Sequence, residues 1–415
     1  MDQASTAELL VFLSEAGLRA FSEVDLLSAF CERLRKAGVP VARALVLIDT
    51  LHPVHEGHVF RWRREGQAFE PITEYGRVSD GGDAAQKWAV SPFHHLLVSG
   101  EAEVRRRLAL GETADFPVLE ELRSEGQTDY LAVIHRFAEG ALGEMDGVYS
   151  SWSTDEPDGF DELQLAFLRQ LLPTYALALK CISLGRVAET LVTTYLGRDA
   201  GRRVLSGRIA RGVAERISAV LWYSDLRGFT RITDEAAPDE IIPFLNDYAN
   251  AVISAVHDAG GDVLKLMGDG TLAIFTADDP SAACACALKA EALMRARVQA
   301  ISEGRSARGL PSADAYLGLH VGEVFYGNIG SEDRLDFTVV GPAVNEVSRI
   351  AALCRSVEKD VLLSSAFASS ARPGDRARLV SVGRYALRGV EKSQDLFTLE
   401  RLSHSAVQRS PDKGS

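Results

Sequence analysis

Two apolar runs that each end at an aspartate constrain this chain more than any other feature. The first is Ala219-Val-Leu-Trp-Tyr-Ser-Asp225-Leu-Arg-Gly-Phe-Thr230. Its apolar and aromatic residues read as a buried strand that stops at an acid, and Gly228 with Thr230 opens a helix. The second runs from Gly261 to Phe275 and sets Gly268-Asp269-Gly270 between two apolar strands, a hairpin with a tight turn. One aspartate at a strand end is commonly a cap, and one in a turn is commonly only a turn residue. As a pair on neighbouring strands they supply hard oxygen donors that can hold two cations against phosphate oxygens. That arrangement clamps the attacking and leaving oxygens in phosphoryl transfer.

Further blocks follow in order. They are Lys265-Leu-Met-Gly-Asp269-Gly, Gly318-Leu-His320-Val-Gly322-Glu-Val continuing to Gly327-Asn-Ile-Gly330, Asp336-Phe-Thr338-Val-Val-Gly341-Pro-Ala-Val-Asn345-Glu-Val-Ser-Arg349, and Leu387-Arg388-Gly389. With the Asp225 block, they resemble the class III nucleotidyl cyclases, which make cyclic AMP or cyclic GMP. The resemblance implies a ferredoxin-like α+β catalytic domain, a largely antiparallel sheet with helices on one face and metal-binding acids at its edge. It implies that Asp225 and Asp269, with the backbone carbonyl of Leu226, bind two Mg²⁺ per site, with Mn²⁺ as a substitute. It makes Lys265 and Thr338 the base-selecting pair. Lys with Thr resembles the adenylate-making members, and the chemistry agrees: a Lys donor suits N1 of adenine, and the Thr338 hydroxyl can accept from the adenine amino group. Asn345 would orient the ribose and Arg349 would stabilise charge on the transferring phosphoryl. Four residues apart, these two face the same way on a helix.

The family's active site lies between two catalytic domains. One chain here carries one such domain with all the residues named, so a homodimer with two equivalent sites is expected. The implied reaction is ATP to 3′,5′-cyclic AMP and pyrophosphate. Alternatives are a guanylate cyclase and a catalytically silent module of the same fold. Two positions depart from the family pattern. Arg388 stands where the family has a triphosphate-binding Lys; Arg can still hold phosphate bidentately, and Lys392 is a substitute candidate. Pro342-Ala343 replaces the usual Asp-Thr. No GxxxxGK[ST] loop occurs, which excludes a P-loop enzyme, and no Gly-Gly-Asp-Glu-Phe motif occurs, which speaks against a cyclic-di-GMP synthase. His320, inside a Gly-rich strand, reads as structural.

Residues 1–184 read differently. Leu9, Leu13, Ala16 and Ala20 fall at helical spacing, and a second helix covers Asp25 to Lys36. Strand-like runs follow at Ala42–Asp49, His58–Arg63, Tyr130–Phe137 and Val148–Ser153. Asp161 with Gln164 forms a capping box for a long helix through Leu184. A strand, a polar loop with Pro157-Asp158-Gly159-Phe160 and a long apolar helix resemble the end of a GAF sensor domain. A PAS-like sensor and an accessory dimerising domain are the alternatives. The signal, a small molecule or a protein, is not named by the residues. His52, His55 and His58 read as loop histidines, with a metal or haem site as the alternative. Residues 185–218 are an arginine-rich connector of helical pieces interrupted by Gly197, Gly201 and Gly207. They read either as a solvated linker or as a transducing element that pairs with its copy in a dimer. Residues 219–402 are the catalytic domain and 403–415 a polar tail expected to be disordered.

Composition narrows the partners. Lys+Arg 45 against Asp+Glu 58 leaves −13, which argues against a nucleic-acid binder. The five cysteines have no CxxC spacing, so a reducing compartment is expected, and Cys284 and Cys286 point apart on one helix. The start MDQASTAELL has no basic n-region, and the most apolar stretch, Leu163 to Leu184, is broken by Arg169, Pro173 and Lys180. A cytoplasmic protein without a membrane span is therefore expected.

Overall fold

The computed structural model describes residues 3–19, 21–64, 70–77, 81–138, 145–388, 390 and 393–400. The chain divides into two compact units, Met1–Leu191 and Val192–Ser415.

In the first unit, α1 (Gln3–Leu18) and α2 (Glu23–Lys36) precede β1 (Arg43–Asp49), β2 (His55–Arg63) and β3 (Ile72–Gly76). Then come α3 (Asp83–Ala89), α4 (Pro92–Ser99), β4 (Glu103–Arg106), α5 (Pro117–Ser124), β5 (Asp129–Arg136), β6 (Gly147–Thr154) and α6 (Glu162–Leu196). The strands form one antiparallel sheet in the order β3-β2-β1-β6-β5-β4. Side-chain alternation gives it two cores. Val46 and Trp152 meet Leu13, Phe30, Leu168 and Tyr175 on one face. Leu47, Ala132 and Tyr149 meet Phe93, Leu96 and Leu119 on the other. The box at the start of α6 forms in both directions: Gln164 N–H donates to Asp161 Oδ1 at 2.7 Å and Asp161 N–H to Gln164 Oε1 at 2.9 Å.

Three features depart from the sequence reading. Strands β3 and β4 and helices α3–α5 carry too little apolar periodicity to stand out; of β4 only Val104 is buried. Helix α6 continues to Leu196, beyond Leu184. By length and composition it is also long and apolar enough to cross a membrane, with half of its most apolar window buried. Leu165, Leu168, Leu172 and Leu179 on it belong to the unit's core.

The second unit holds α7 (Arg198–Leu205), β7 (Ala214–Leu226), α8 (Phe229–Glu235), α9 (Pro238–Asp258), β8 (Asp262–Met267), β9 (Gly270–Phe275) and α10 (Pro280–Ser306). It continues with β10 (Ala315–Gly330), β11 (Leu335–Val340), α11 (Pro342–Leu353), β12 (Val361–Ser364), α12 (Ser365–Ser370), α13 (Pro373–Arg376), β13 (Leu379–Tyr385) and β14 (Gln394–Leu399). Its sheet runs β13-β14-β12-β10-β7-β9-β8, with β11 added on β10. All pairings are antiparallel except β10 with β12. Val220 and Trp222 of β7 pack with Phe244, Ala255 and Ala287 of α9 and α10. The alternate residues Ala219 and Leu221 pack with Ala200 of α7 and with Ala343 and Val347 of α11. Helices thus cover both faces of this sheet, where one covered face was expected.

The arginine-rich stretch is largely structured. Residues 185–196 belong to α6, Gly197 takes a positive φ of 86° at the start of α7, and Gly201 lies inside α7 without interrupting it. Arg203 pairs with Asp199 at 2.6 Å and with Glu215 at 3.0 Å. The tail at 403–415 lies outside the described residues.

Candidate active site

Asp225 closes β7, a strand flanked on both sides by β10 and β9. The carboxylate therefore stands at the end of a central strand, not at the sheet's edge. Asp269 occupies the two-residue turn between β8 and β9, where Met267 pairs with Gly270. Gly268 there has φ 65°, the left-handed value that the first central position of a type II′ turn demands and that costs glycine nothing. Since β9 pairs with β7, the turn delivers Asp269 beside Asp225, and both carboxyls line one cleft. Burial pushes the Asp225 carboxyl up to about 6, and the adjacent Asp269 adds to the effect, while the N–H of Leu226 opposes it. Two close carboxylates are the donor chemistry a divalent cation fits, because its charge offsets theirs. Leu226, the next residue in the strand, lines the same space. Among the described residues no group of three or more His, Cys, Asp or Glu side chains is arranged around a point, so these two acids stand as a pair. They open on a cleft of about 1080 Å³.

Lys265 and Thr338 come together through a residue that sequence reasoning did not single out. The Lys265 ammonium donates to Asp336 Oδ2 at 2.5 Å. On β11, Phe337 and Val339 are buried, so Asp336 and Thr338 share the opposite face. Thr338 therefore faces the side on which Asp336 meets Lys265. The signal was present: an acid two residues before Thr338 in an alternating strand. Lys265 and Asp336 border a separate hollow of about 700 Å³.

Asn345 and Arg349 project from α11, whose Ala343, Val347 and Ile350 are buried. Gly318 lets this helix lie close to β10: a Cβ there would meet Val347 O at 2.7 Å and Ala351 N at 2.8 Å. Asn345 is exposed and Arg349 half-buried, and the Arg349 guanidinium has no ion pair or hydrogen bond among the described residues. Leu387 is buried, which turns the neighbouring Arg388 outward to solvent. Gly389 and Lys392 lie outside the described residues. The predicted residues thus form groups: Asp225, Leu226 and Asp269 in one cleft, Lys265 and Thr338 around Asp336, and Asn345 with Arg349 on α11. None of Thr338, Asn345, Arg349 and Arg388 lines the carboxylate cleft.

His320 is held as a structural residue would be. It is buried, its Nδ1 lies 2.9 Å from Ser364 Oγ, its Nε2 lies 3.7 Å from Glu346, and burial lowers its pKa. His55 and His58 sit on β2 and not in a loop, which corrects the reading of all three as loop histidines. His55 pairs with Glu74 at 2.8 Å, while His52 Nδ1 accepts from the N–H groups of Val54 and His55. All five cysteines are free.

Residues 213–401 match the family described as the adenylate and guanylate cyclase catalytic domain. The adenylate cyclase of Anabaena cylindrica is 35% identical over 157 residues, 37% of this chain and 30% of that protein. Adenylate cyclase 1 of Rhizobium meliloti (strain 1021) is 26% identical over 223 residues, 52% of this chain and 33% of that protein. The chain therefore spans about a third of the length of these relatives. The crystal structure of the adenylyl cyclase CyaB from P. aeruginosa overlays with a TM-score of 0.41 at 21% identity, over 46% of this chain and 96% of that one.

Proposed function

We propose, from the match of residues 213–401 to the adenylate and guanylate cyclase catalytic domain, that the protein is an adenylate cyclase. It converts ATP to 3′,5′-cyclic AMP and pyrophosphate at a site shared by two copies of the chain. The observation that carries this reading is the adjacent carboxylate pair Asp225–Asp269 in a cleft that Arg349, without an ion pair or hydrogen bond among the described residues, does not line.

Asp225 and Asp269, with the carbonyl of Leu226, would hold Mg²⁺ or Mn²⁺. When bound, divalent cations there supply a lowered pKa at the ribose 3′-hydroxyl and neutralise the triphosphate. Lys265 offers the adenine ring a donor that Asp336 steadies, and Thr338 offers an acceptor on the same strand face. Asn345 orients the ribose. In the reaction the 3′-oxygen bonds to the α-phosphorus, the 3′-hydroxyl proton is released, and the bond to the β-phosphate's bridging oxygen breaks. Arg349 neutralises the charge that grows on the phosphoryl oxygens, the largest single contribution expected of a fixed donor in such a site. Arg388, or Lys392 in its place, holds the triphosphate.

A second copy is supported by the surface of the second unit. Phe325 and Leu335 of the β10–β11 hairpin and Leu266 beside Lys265 are 52%, 37% and 52% exposed. Exposed apolar side chains near the base-selecting residues are what a partner surface covers. The domain boundaries 1–184, 185–218, 219–402 and 403–415, the GAF-like reading of the first unit, its regulatory role through an unidentified signal, and a cytoplasmic location belong to this proposal. For the GAF-like reading the support is a sheet covered by helices on both faces.

The test is turnover of ATP and GTP with Mg²⁺ by the full chain, beside Asp225→Asn and Asp269→Asn. Cyclic AMP from the parent and loss of turnover in both folded variants are expected. Preference for GTP would make it a guanylate cyclase. No cyclic nucleotide from either substrate would make the fold a silent module.

A further inference from the structure

We propose that Arg355 is a phosphate-binding residue of the carboxylate cleft, contacting the β- or γ-phosphate of the nucleotide held on the Asp225–Asp269 side. The inference rests on the cyclase reading above.

The cleft has Asp225 and Asp269 in one wall and Ala351, Ala352 and Arg355 in another. A nucleoside triphosphate brings several negative charges into this space, and neither Arg349 nor Arg388 lines it. Three guanidiniums do. Arg227 lies over the Tyr316 ring at 5.8 Å and 3.9 Å from Asp360, so it is already engaged. Arg231 and Arg355 make no ion pair or hydrogen bond among the described residues.

Arg355 and Arg231 differ in what carries them. Arg231 sits on α8, whose only buried residue is Ile232. Arg355 lies in the turn after α11 and follows Cys354, which is fully buried with its Sγ 3.5 Å from Leu317 O and ties that turn to β10, on which α11 lies close at Gly318. A phosphate contact on a fixed element loses less ordering entropy than one on a loosely packed helix. The guanidinium's planar fork also matches two phosphate oxygens at once. Carboxylates outnumber guanidiniums around this cleft, so a bare polyphosphate is repelled and binding requires its divalent cation.

The test measures the affinity of the full chain for inorganic tripolyphosphate with Mg²⁺ by titration calorimetry, together with the KM for ATP. Arg355→Ala should weaken both by about tenfold to a hundredfold, the cost of one charge-assisted contact, while kcat falls less. Arg355→Lys should recover part of the loss. Lys265→Ala, on the base side, should leave tripolyphosphate affinity unchanged. An Arg355→Ala protein, folded by circular dichroism, that keeps both values within about twofold of the parent overturns the inference. A parent chain that neither binds tripolyphosphate nor turns over ATP or GTP overturns the cyclase reading instead, so the two failures are distinguishable.

Discussion

At the scale of single residues, the pair proposed to select the base offers the most direct handle. Lys265 holds Asp336 at 2.5 Å and shares its surroundings with Thr338. Lys265→Glu with Thr338→Cys should weaken ATP use and raise relative GTP use, because the first change replaces the donor proposed for adenine N1 by an acceptor and the second replaces the Thr338 hydroxyl by a weaker acceptor. The introduced carboxylate would also face Asp336, a repulsion that lowers total activity. An unchanged ATP:GTP ratio in competition assays would mean that these positions do not read the base. In the first unit, Tyr75 donates to Asp49 at 2.5 Å, and burial pushes the Asp49 carboxyl up to about 6 from its ordinary 3.8. The folded state then holds a proton that the unfolded state has released between those values. Stability from this group is fully present below the ordinary pKa and is lost as pH rises through about 6. Asp49→Asn keeps an acceptor for Tyr75 and removes the titration. It should gain about 2–3 kcal/mol on the parent between pH 4 and pH 7.5 in urea unfolding of this unit. An equal difference at both pH values would exclude Asp49 as the source.

At the scale of elements, the hairpin β8–β9 and the helix α11 do the positioning. The hairpin sets Asp269 beside Asp225 through a two-residue turn and the β7–β9 pairing. Helix α11 sends Asn345 and Arg349 one way, and the turn after it sends Arg355 into the cleft. Gly318 decides how closely that helix lies on β10, since backbone atoms of Val347 and Ala351 occupy the space a side chain would need. Gly318→Val should therefore displace α11, lower stability by about 1–3 kcal/mol as overpacking does, and reduce activity beyond what the stability loss explains. Denaturant midpoints alongside turnover measure the two effects, and a variant with unchanged turnover would release α11 from the positioning role.

At the scale of the whole molecule, the separation of the functional groups sets the expectation. On the proposed dimer, Asp225→Ala and Arg349→Ala should each be inactive, because every shared site then lacks either its carboxylate pair or the Arg349 guanidinium. Mixed together they form heterodimers in which one site draws Asp225 and Asp269 from one chain and Arg349 from the other. With free exchange and equal amounts, about half the dimers are mixed with one complete site of two, so recovery should approach roughly a quarter of the parent's activity. Heterodimers verified by pull-down that show no recovery would mean that each site is built within one chain.

What could be read without coordinates was whatever local chemistry encodes. The alternation of Ala219 to Asp225 marked a strand ending in an acid, Gly268-Asp269-Gly270 marked a turn, and Asp161 with Gln164 marked a helix start, because each depends only on residues close in the chain. The ordered blocks from Asp225 to Gly389 carried the family likeness for the same reason. Strands β3 and β4 were not legible, since their residues are mostly half-exposed and owe their form to the strands beside them. The tertiary structure alone decided that Lys265 meets Asp336, 71 residues away in sequence, and that Arg355 shares a cleft with Asp225 while Arg349 does not. Such pairings depend on strand order and helix docking, which are settled by burying both faces of a sheet at once and not by any local pattern.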